Sequence, residues 1–130
     1  MHTLTNSRPG HPVLIVGAGP VGLTLASLLH DQGVPTRIVE RLPVASPESK
    51  ALLVWPRTLQ VLRQLGGADA ITQHGLPVES FRYYSSAQQV AELPFDDRLQ
   101  PVILPQPDVE KLLSDALSAR GGSVERGVEL

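Results

Sequence analysis

The sequence predicts an α/β fold built on a parallel sheet with a crossover helix. An apolar run at Pro12–Val16 leads into a glycine-rich turn, and an apolar-periodic segment from Pro20 to Gln32 follows it. A second run, TRIVE at Thr36–Glu40, is rich in β-branched residues. Strand, helix and strand in this order are expected to form a right-handed parallel crossover. These residues therefore predict the first βαβ unit of the sheet.

Each element of that unit has its own local signal. The run at Pro12–Val16 is short, contains valines and stops at Gly17, which favours a strand over a helix. Its unbroken apolar character is typical of a strand covered on both faces. The helix is expected to end at Gly33, because glycine is a frequent C-terminal stop. The helix itself is predicted from apolar residues that recur at helical spacing: Val21, Leu25, Leu28 and Leu29.

The middle of the chain is predicted to be a loop, a helix and a hairpin. Residues 41–50, with two prolines and two serines, are typical of a loop. Arg57–Leu65 is predicted to be a helix because its leucines recur every third residue, and Gly66-Gly67 would end it. Glu79–Leu93 is predicted to form a hairpin-like excursion around a polar centre, Ser-Ser-Ala-Gln-Gln.

The last third of the chain is predicted to return to the sheet. Leu99–Gln106 is extended and broken by prolines, and a helix is expected from Pro107-Asp108 to about Ala119. Its apolar face would hold Val109, Leu112, Leu113, Ala116 and Leu117. Ser123–Leu130 is expected to begin another strand. A sheet with this strand at the end of the chain would have an open edge and an uncovered apolar face, which predicts self-association.

Composition restricts the class of protein. A chain of 130 residues with 42% hydrophobic and 18% charged residues is typical of one globular domain. The net charge of −2 and the lack of a basic stripe argue against nucleic acid or an anionic membrane as a partner. No apolar run reaches the ~18 residues of a membrane helix. The absence of cysteine excludes disulfides and thiolate chemistry, and it fits a cytoplasmic location. The polar residues 1–11 are expected to form a flexible tail.

The glycine-rich turn has the spacing G-x-G-x-x-G at residues 17–22, GAGPVG. In a dinucleotide site Gly17 permits the tight turn, Gly19 lets the backbone approach a pyrophosphate, and Gly22 lets the helix pack on the sheet. The helix N-terminus offers N–H groups to the phosphates, and Pro20 costs little there because its missing N–H has no helical partner. Because the turn follows a strand and opens a helix, the motif predicts dinucleotide binding.

An acidic residue completes this motif. Glu40 ends the second predicted strand, where a carboxylate can accept hydrogen bonds from the hydroxyls of an adenosine ribose. The physics of the site fits NAD and FAD equally well. The alternative to a dinucleotide site is an ordinary βαβ turn with a glutamate at the surface. The scattered histidines have no metal-ligand spacing, so no metal site is predicted.

The wider pattern distinguishes the two cofactors by resemblance. Gly22, Ala26, Leu29, Gly33 and Glu40 form GxxxAxxLxxxGxxxxxxE, followed by Arg41, and this resembles the FAD fingerprint of flavoprotein oxidoreductases. The stretches PRTLQVLRQLG and LPQPDVEKLL resemble class A flavin-dependent aromatic hydroxylases, the para-hydroxybenzoate hydroxylase-like family. The resemblance extends from Val13 over nearly the whole chain, and it implies a Rossmann-like FAD-binding domain over residues 12–130.

The resemblance also assigns roles to residues. It implies that the turn, Gly17, Ala18, Gly19, Pro20, Val21 and Gly22, frames the FAD pyrophosphate. Glu40 would bind the adenosine ribose, and Arg41 would lie beside the adenine. Lys50 stands where the family has an arginine that reaches the phosphates or ribityl chain, and Gln106 stands at the family's glutamine near the ribityl or phosphate region. Residues 79–98 would begin the substrate-domain excursion.

The implied activity is hydroxylation of an aromatic substrate with NAD(P)H and O₂. Later family motifs do not occur in this sequence, so the resemblance identifies it as an amino-terminal, incomplete part of a hydroxylase, and no catalytic residue can be named. Trp55, Tyr83 and Tyr84 either line a substrate cavity or serve in packing. Two other functions stay open at this point: an NAD-binding dehydrogenase domain, and a truncated, non-catalytic nucleotide-binding or interaction module.

Overall fold

A computed structural model describes residues 12–45 and 50–130. The predicted flexible tail, residues 1–11, lies outside the described residues, as do residues 46–49 of the predicted loop. The chain divides into two compact units. The first comprises Met1–Ala45 and Ser114–Leu130, and the second comprises Ser46–Leu113.

Eight strands and four helices are found within the described ranges. The strands are β1 (Val13–Val16), β2 (Thr36–Glu40), β3 (Ala51–Val54), β4 (Leu76–Pro77), β5 (Ser80–Ser85), β6 (Gln88–Pro94), β7 (Val102–Pro105) and β8 (Val124–Arg126). The helices are α1 (Pro20–Asp31), α2 (Pro56–Gln64), α3 (Ala68–His74) and α4 (Gln106–Ala119). None of these helices is long and apolar enough to cross a membrane.

The first unit contains a parallel sheet in the order β1-β2-β8. Ile15 pairs with Ile38 across β1 and β2, and Glu40 pairs with Arg126 across β2 and β8. α1 links β1 to β2, which confirms the predicted strand–helix–strand unit and the α/β fold class. The central strand is buried, with Val39 only 1% exposed.

The buried face of α1 is formed by residues other than those whose spacing indicated the helix. Leu23, Ala26 and Ser27 are buried, whereas Val21, Leu25 and Leu28 are 83%, 44% and 39% exposed. A Cβ added to Gly22 would collide with the Gly17 carbonyl oxygen and lie 3.3 Å from Ile15 Cγ2. The helix therefore approaches the sheet closely at Gly22 and buries Leu23, Ala26 and Ser27, while Val21, Leu25 and Leu28 stay exposed.

β1 is also more exposed than its apolar sequence predicts. Ile15 is buried, but Val13, Leu14 and Val16 are 39%, 47% and 66% exposed. β1 is an edge strand of the described sheet, so it is not covered on both faces. β8 forms the other edge, and its side chains there are largely charged. The exposed apolar surface that the sequence placed at the final strand thus lies at β1.

The second unit has an antiparallel sheet in the order β3-β7-β4 and a separate ribbon of β5 and β6. The ribbon confirms the predicted hairpin, and Ser86 and Ala87 at its tip have positive φ values of 49° and 64°. α2 buries Leu59 and Leu62 as predicted, and α4 confirms the helix predicted from Pro107-Asp108 to about Ala119. α3, β3 and β4 were not anticipated from the sequence.

The aromatic residues of this unit serve mainly in packing. Trp55, Phe81 and Phe95 contact one another edge to face, with ring centroids 4.9–6.3 Å apart. This arrangement confirms packing as a role for Trp55. Tyr83 and Tyr84 lie on the hairpin, 50% and 60% exposed.

Candidate dinucleotide site

The glycine turn lies at the carboxyl end of β1 and leads into α1. Gly17 has φ +101°, a conformation that side chains rarely adopt, and its N–H donates to Val39 O at 2.8 Å. Gly19 is the N-cap residue of α1, and Pro20 is its first residue. No side chain caps the helix, so the first N–H groups of α1 keep no intrahelical partner.

The glycines of the turn are required for different reasons. Gly22 is required by packing, because a side chain there would strike the Gly17 carbonyl. Gly19 has an ordinary extended backbone, with φ −77° and ψ −177°, and a Cβ added to it would meet no atom within 4 Å. Neither backbone strain nor the packing of this chain explains a glycine at position 19. The space beside Gly19 is open, and a glycine there would let a ligand such as a pyrophosphate approach the backbone closely.

Glu40 ties the turn to the end of β2. Its Oε2 accepts from Ala18 N at 2.9 Å, and its Oε1 accepts from Leu42 N at 2.9 Å. Its backbone carbonyl accepts from Val128 N at 3.0 Å. The glutamate predicted to bind a ribose is therefore already placed beside the glycine turn by contacts within the first unit.

The surroundings of Glu40 favour its charged form. The hydrogen bonds from Leu42 N–H and Ala18 N–H lower the pKa of its carboxyl, partial burial raises it slightly, and the nearby Arg126 and Arg41 lower it further. A carboxylate has about four acceptor positions, so two remain for hydroxyl donors. The group can hold the turn and accept a ribose at the same time.

An open cleft beside Glu40 includes residues that the sequence did not indicate. The cleft, about 340 Å³, is lined by Val16, Gly17, Glu40, Arg41, Val128, Glu129 and Leu130. Arg126, opposite Glu40 in the sheet, also contributes to its electrostatics. These positions depend on the β2–β8 register, which sequence alone does not provide. The parallel order of strands was the one signal that pointed to this end of the sheet.

The predicted residues fall into two groups. The first unit holds the glycine turn, Glu40 and Arg41 together, with Arg41 exposed at the cleft. The second unit holds Lys50 and Gln106 side by side, since Gln106 N donates to Lys50 O at 2.8 Å. The Lys50 side chain is exposed, and Gln106 Nε2 donates to Glu110 Oε1 at 2.6 Å. Within residues 12–45 and 50–130, no group of three potential ligands could hold a metal ion.

Comparison with known proteins gives one family. The model of the family described as "FAD binding domain" matches residues 11–130. The chain is 38% identical over 127 residues to 6-methylpretetramide 4-monooxygenase of Streptomyces rimosus, which covers 93% of this chain and 23% of that protein. It is 34% identical to a flavin-dependent monooxygenase of Mycobacteroides abscessus, covering 91% of this chain and 28% of that protein.

Solved structures agree in fold. The flavin-dependent monooxygenase PieE, solved with FAD and substrate, is 32% identical with a TM-score of 0.72, over 89% of this chain and 23% of that chain. The 2-methyl-3-hydroxypyridine-5-carboxylic acid oxygenase has a TM-score of 0.79 at 22% identity. The match covers 91% of this chain and 32% of that chain, and it shows similarity of fold. The chain thus spans about a quarter of the length of the curated relatives it matches.

Proposed function

Because this chain belongs to the family of FAD-binding domains of flavin-dependent aromatic monooxygenases, we propose that its first unit forms the ADP half of a FAD site. The observation that carries the proposal is the 2.9 Å contact between Glu40 and Ala18 N, which brings the ribose-binding carboxylate to the glycine turn. The family membership confirms the predicted fold class and the predicted cofactor, FAD, in preference to an NAD-binding dehydrogenase domain.

The residues of the first unit have distinct tasks in this proposal. The N–H groups of Val21 and Gly22, in the first turn of α1, donate to the diphosphate, and Gly19 leaves the space that it needs. Glu40 accepts from the ribose hydroxyls. Arg41 and the cleft beside it receive the adenine. Ala18 and Pro20 shape the turn.

The residues of the second unit are assigned to the same cofactor. Lys50 supplies a positive charge for the phosphate or ribityl region, and Gln106 supplies an amide for it. Lysine keeps the charge of the family's arginine but has no bidentate fork, so its contact is less directional. Residues 79–98, which include the exposed hairpin, begin the substrate-binding region.

The whole activity that we propose is hydroxylation of a small aromatic substrate with NAD(P)H and O₂, in the cytoplasm. FAD supplies the redox chemistry when it is bound. The residues of this chain bind and orient it, and they exclude water from the diphosphate. No acid or base of the described residues is assigned to the chemical step.

A second role, self-association, is favoured by the β1 edge. Val13, Leu14 and Val16 are exposed apolar residues of an edge strand, with Leu14 and Val16 on the same face, and such edges pair readily with another chain. We expect a second copy to occupy this edge. Sedimentation velocity should then show concentration-dependent dimers that the variant Leu14→Lys abolishes. A monomer at every concentration would contradict the role.

The test of cofactor binding is a fluorescence titration of FAD with the full chain. Saturable binding that NADH does not displace at similar concentration is expected, and Glu40→Ala should weaken it about tenfold or more, since charged hydrogen bonds contribute about 1.5–3 kcal/mol. Glu125→Ala, which removes an exposed carboxylate on β8 that pairs with Arg37 and does not line the cleft, is the matched control. A folded chain without FAD affinity would contradict the proposal.

A further inference from the structure

Glu40 contacts the glycine turn directly, which a residue that serves the ribose alone would not need to do. Its carboxylate bridges Ala18 N–H and Leu42 N–H, and Ala18 lies 22 residues away along the chain. The preceding residue of the turn, Gly17, continues the sheet's hydrogen bonds through Val39 O. After Gly17, the next hydrogen bond that holds the turn before α1 begins is therefore the one from Ala18 N–H to the Glu40 side chain.

We propose that Glu40 is a positioning residue, which holds the glycine turn in its diphosphate-accepting form before any dinucleotide arrives. This inference rests on the proposed function and adds a second task for the same side chain. The contact takes Ala18 N–H out of the set of donors available to a ligand. The N–H groups of Val21 and Gly22, which have no intrahelical partner, remain for the diphosphate.

The chemistry of the bridge requires a carboxylate of this length. Two N–H donors converge on one side chain, and only a group with two acceptor atoms satisfies both. Glutamine has one acceptor oxygen, so its NH₂ would face one of the two donors. Aspartate is one methylene shorter and cannot span the same gap. The variant Glu40→Gln thus breaks the bridge with little change in volume.

A ligand without a ribose separates the two tasks. If Glu40 only contacts the ribose, Glu40→Gln leaves the binding of inorganic pyrophosphate unchanged, or strengthens it because a negative charge is lost. If Glu40 positions the turn, the same variant weakens pyrophosphate binding. Glu125→Gln is the matched control, because Glu125 lies on β8, loses the same charge and pairs with Arg37 at 2.8 Å rather than with the turn.

The experiment is backbone amide NMR on the full chain and both variants. Without ligand, we expect hydrogen exchange at Ala18 to become at least about tenfold faster in Glu40→Gln and to stay unchanged in Glu125→Gln. In titrations with pyrophosphate and with ADP, Glu40→Gln should weaken both about fivefold to tenfold, since the turn is no longer preorganised.

The outcomes distinguish this inference from the proposed function. Unchanged exchange at Ala18, with ADP weakened and pyrophosphate unaffected, overturns the positioning role and leaves the FAD half-site intact. If the wild-type chain binds neither probe, the half-site fails, and the exchange at Ala18 still decides the positioning role. Should Glu40→Gln not fold, an acid titration of the wild type replaces it. The Ala18 and Leu42 amide shifts should then follow one common carboxyl titration, and independent midpoints would overturn the inference.

Discussion

The two groups of predicted cofactor residues differ in how the fold holds them. In the first unit, a side chain joins the glycine turn to β2, because Glu40 accepts from both Ala18 N–H and Leu42 N–H. In the second unit, Lys50 and Gln106 meet through their backbones, and the Lys50 side chain is exposed. Residue identity in the first group is thus demanded by the fold and by the ligand. In the second group the Gln106 side chain bonds within its own helix, to Glu110 Oε1, so the fold joins no separate elements through it.

The substitution Gly22→Ala has the largest expected effect, and it tests whether the fold itself requires a residue of the first group. The added Cβ would strike the Gly17 carbonyl oxygen, so α1 must move away from β1. Overpacking against backbone costs typically about 1–3 kcal/mol and sometimes more. We expect a loss of about 3 kcal/mol in the free energy of unfolding, measured by urea denaturation, together with loss of detectable FAD binding. Unchanged stability would show that the turn and helix are not packed as described.

Gly19→Ala sharpens the comparison within the same turn. Its added Cβ meets nothing within 4 Å, and the backbone of Gly19 is extended, so the free energy of unfolding should change by less than about 1 kcal/mol. FAD affinity should still fall about 10- to 100-fold, because a methyl group displaces the diphosphate from charged hydrogen bonds. Full affinity in this variant would mean that no ligand approaches Gly19 closely.

Gln106→Ala tests the second group. A single neutral hydrogen bond contributes about 0.5–1.5 kcal/mol, so FAD affinity should fall only about threefold to tenfold. Gln64→Ala, at an exposed glutamine of α2, is the control and should have no effect. Isothermal titration with FAD measures both. A loss as large as that of Gly19→Ala would remove the contrast between the two groups.

Elements marked by neighbouring residues could be predicted from the sequence, whereas elements that depend on pairing between distant strands could not. The strand, turn and helix around Gly17–Gly22 were predictable because their residues are adjacent and each glycine has a steric reason. The apolar spacing was sufficient to predict α1 as a helix but not to identify its buried face, because Gly22 selects the face with Ala26 and Ser27 although Leu25 and Leu28 are more apolar.

The missed elements depend on partners distant in the chain. β3 has four residues and pairs with β7, where Leu53 lies opposite Ile103. β1 is equally short, but the glycine turn that follows it marks it as a strand, whereas β3 has no such turn beside it. Arg126 and Val128 reach the site only through the β2–β8 register. A sequence predicts such residues only when the order and register of its strands are known.

The smallest expected effect concerns the pH dependence of stability. The hydrogen bonds from Leu42 and Ala18 lower the pKa of Glu40 in the folded chain. A lowered folded pKa gives stability that is present above the unfolded value, near 4.3, and is lost as the pH falls through the folded value. Because the side chain is largely solvated, the contribution is modest.

Glu125 has a lowered pKa as well, from its ion pair with Arg37, so the wild-type curve contains both carboxyls. Between pH 5 and 3, chemical denaturation should give a shallower fall of the unfolding free energy in Glu40→Gln than in the wild type. Glu125→Gln should also reduce the slope, but without changing the exchange of the Ala18 amide. If Glu40→Gln followed the wild-type curve at every pH, Glu40 would not be bonded to the turn in solution. The side-chain bridge that distinguishes the first group from the second would then be absent.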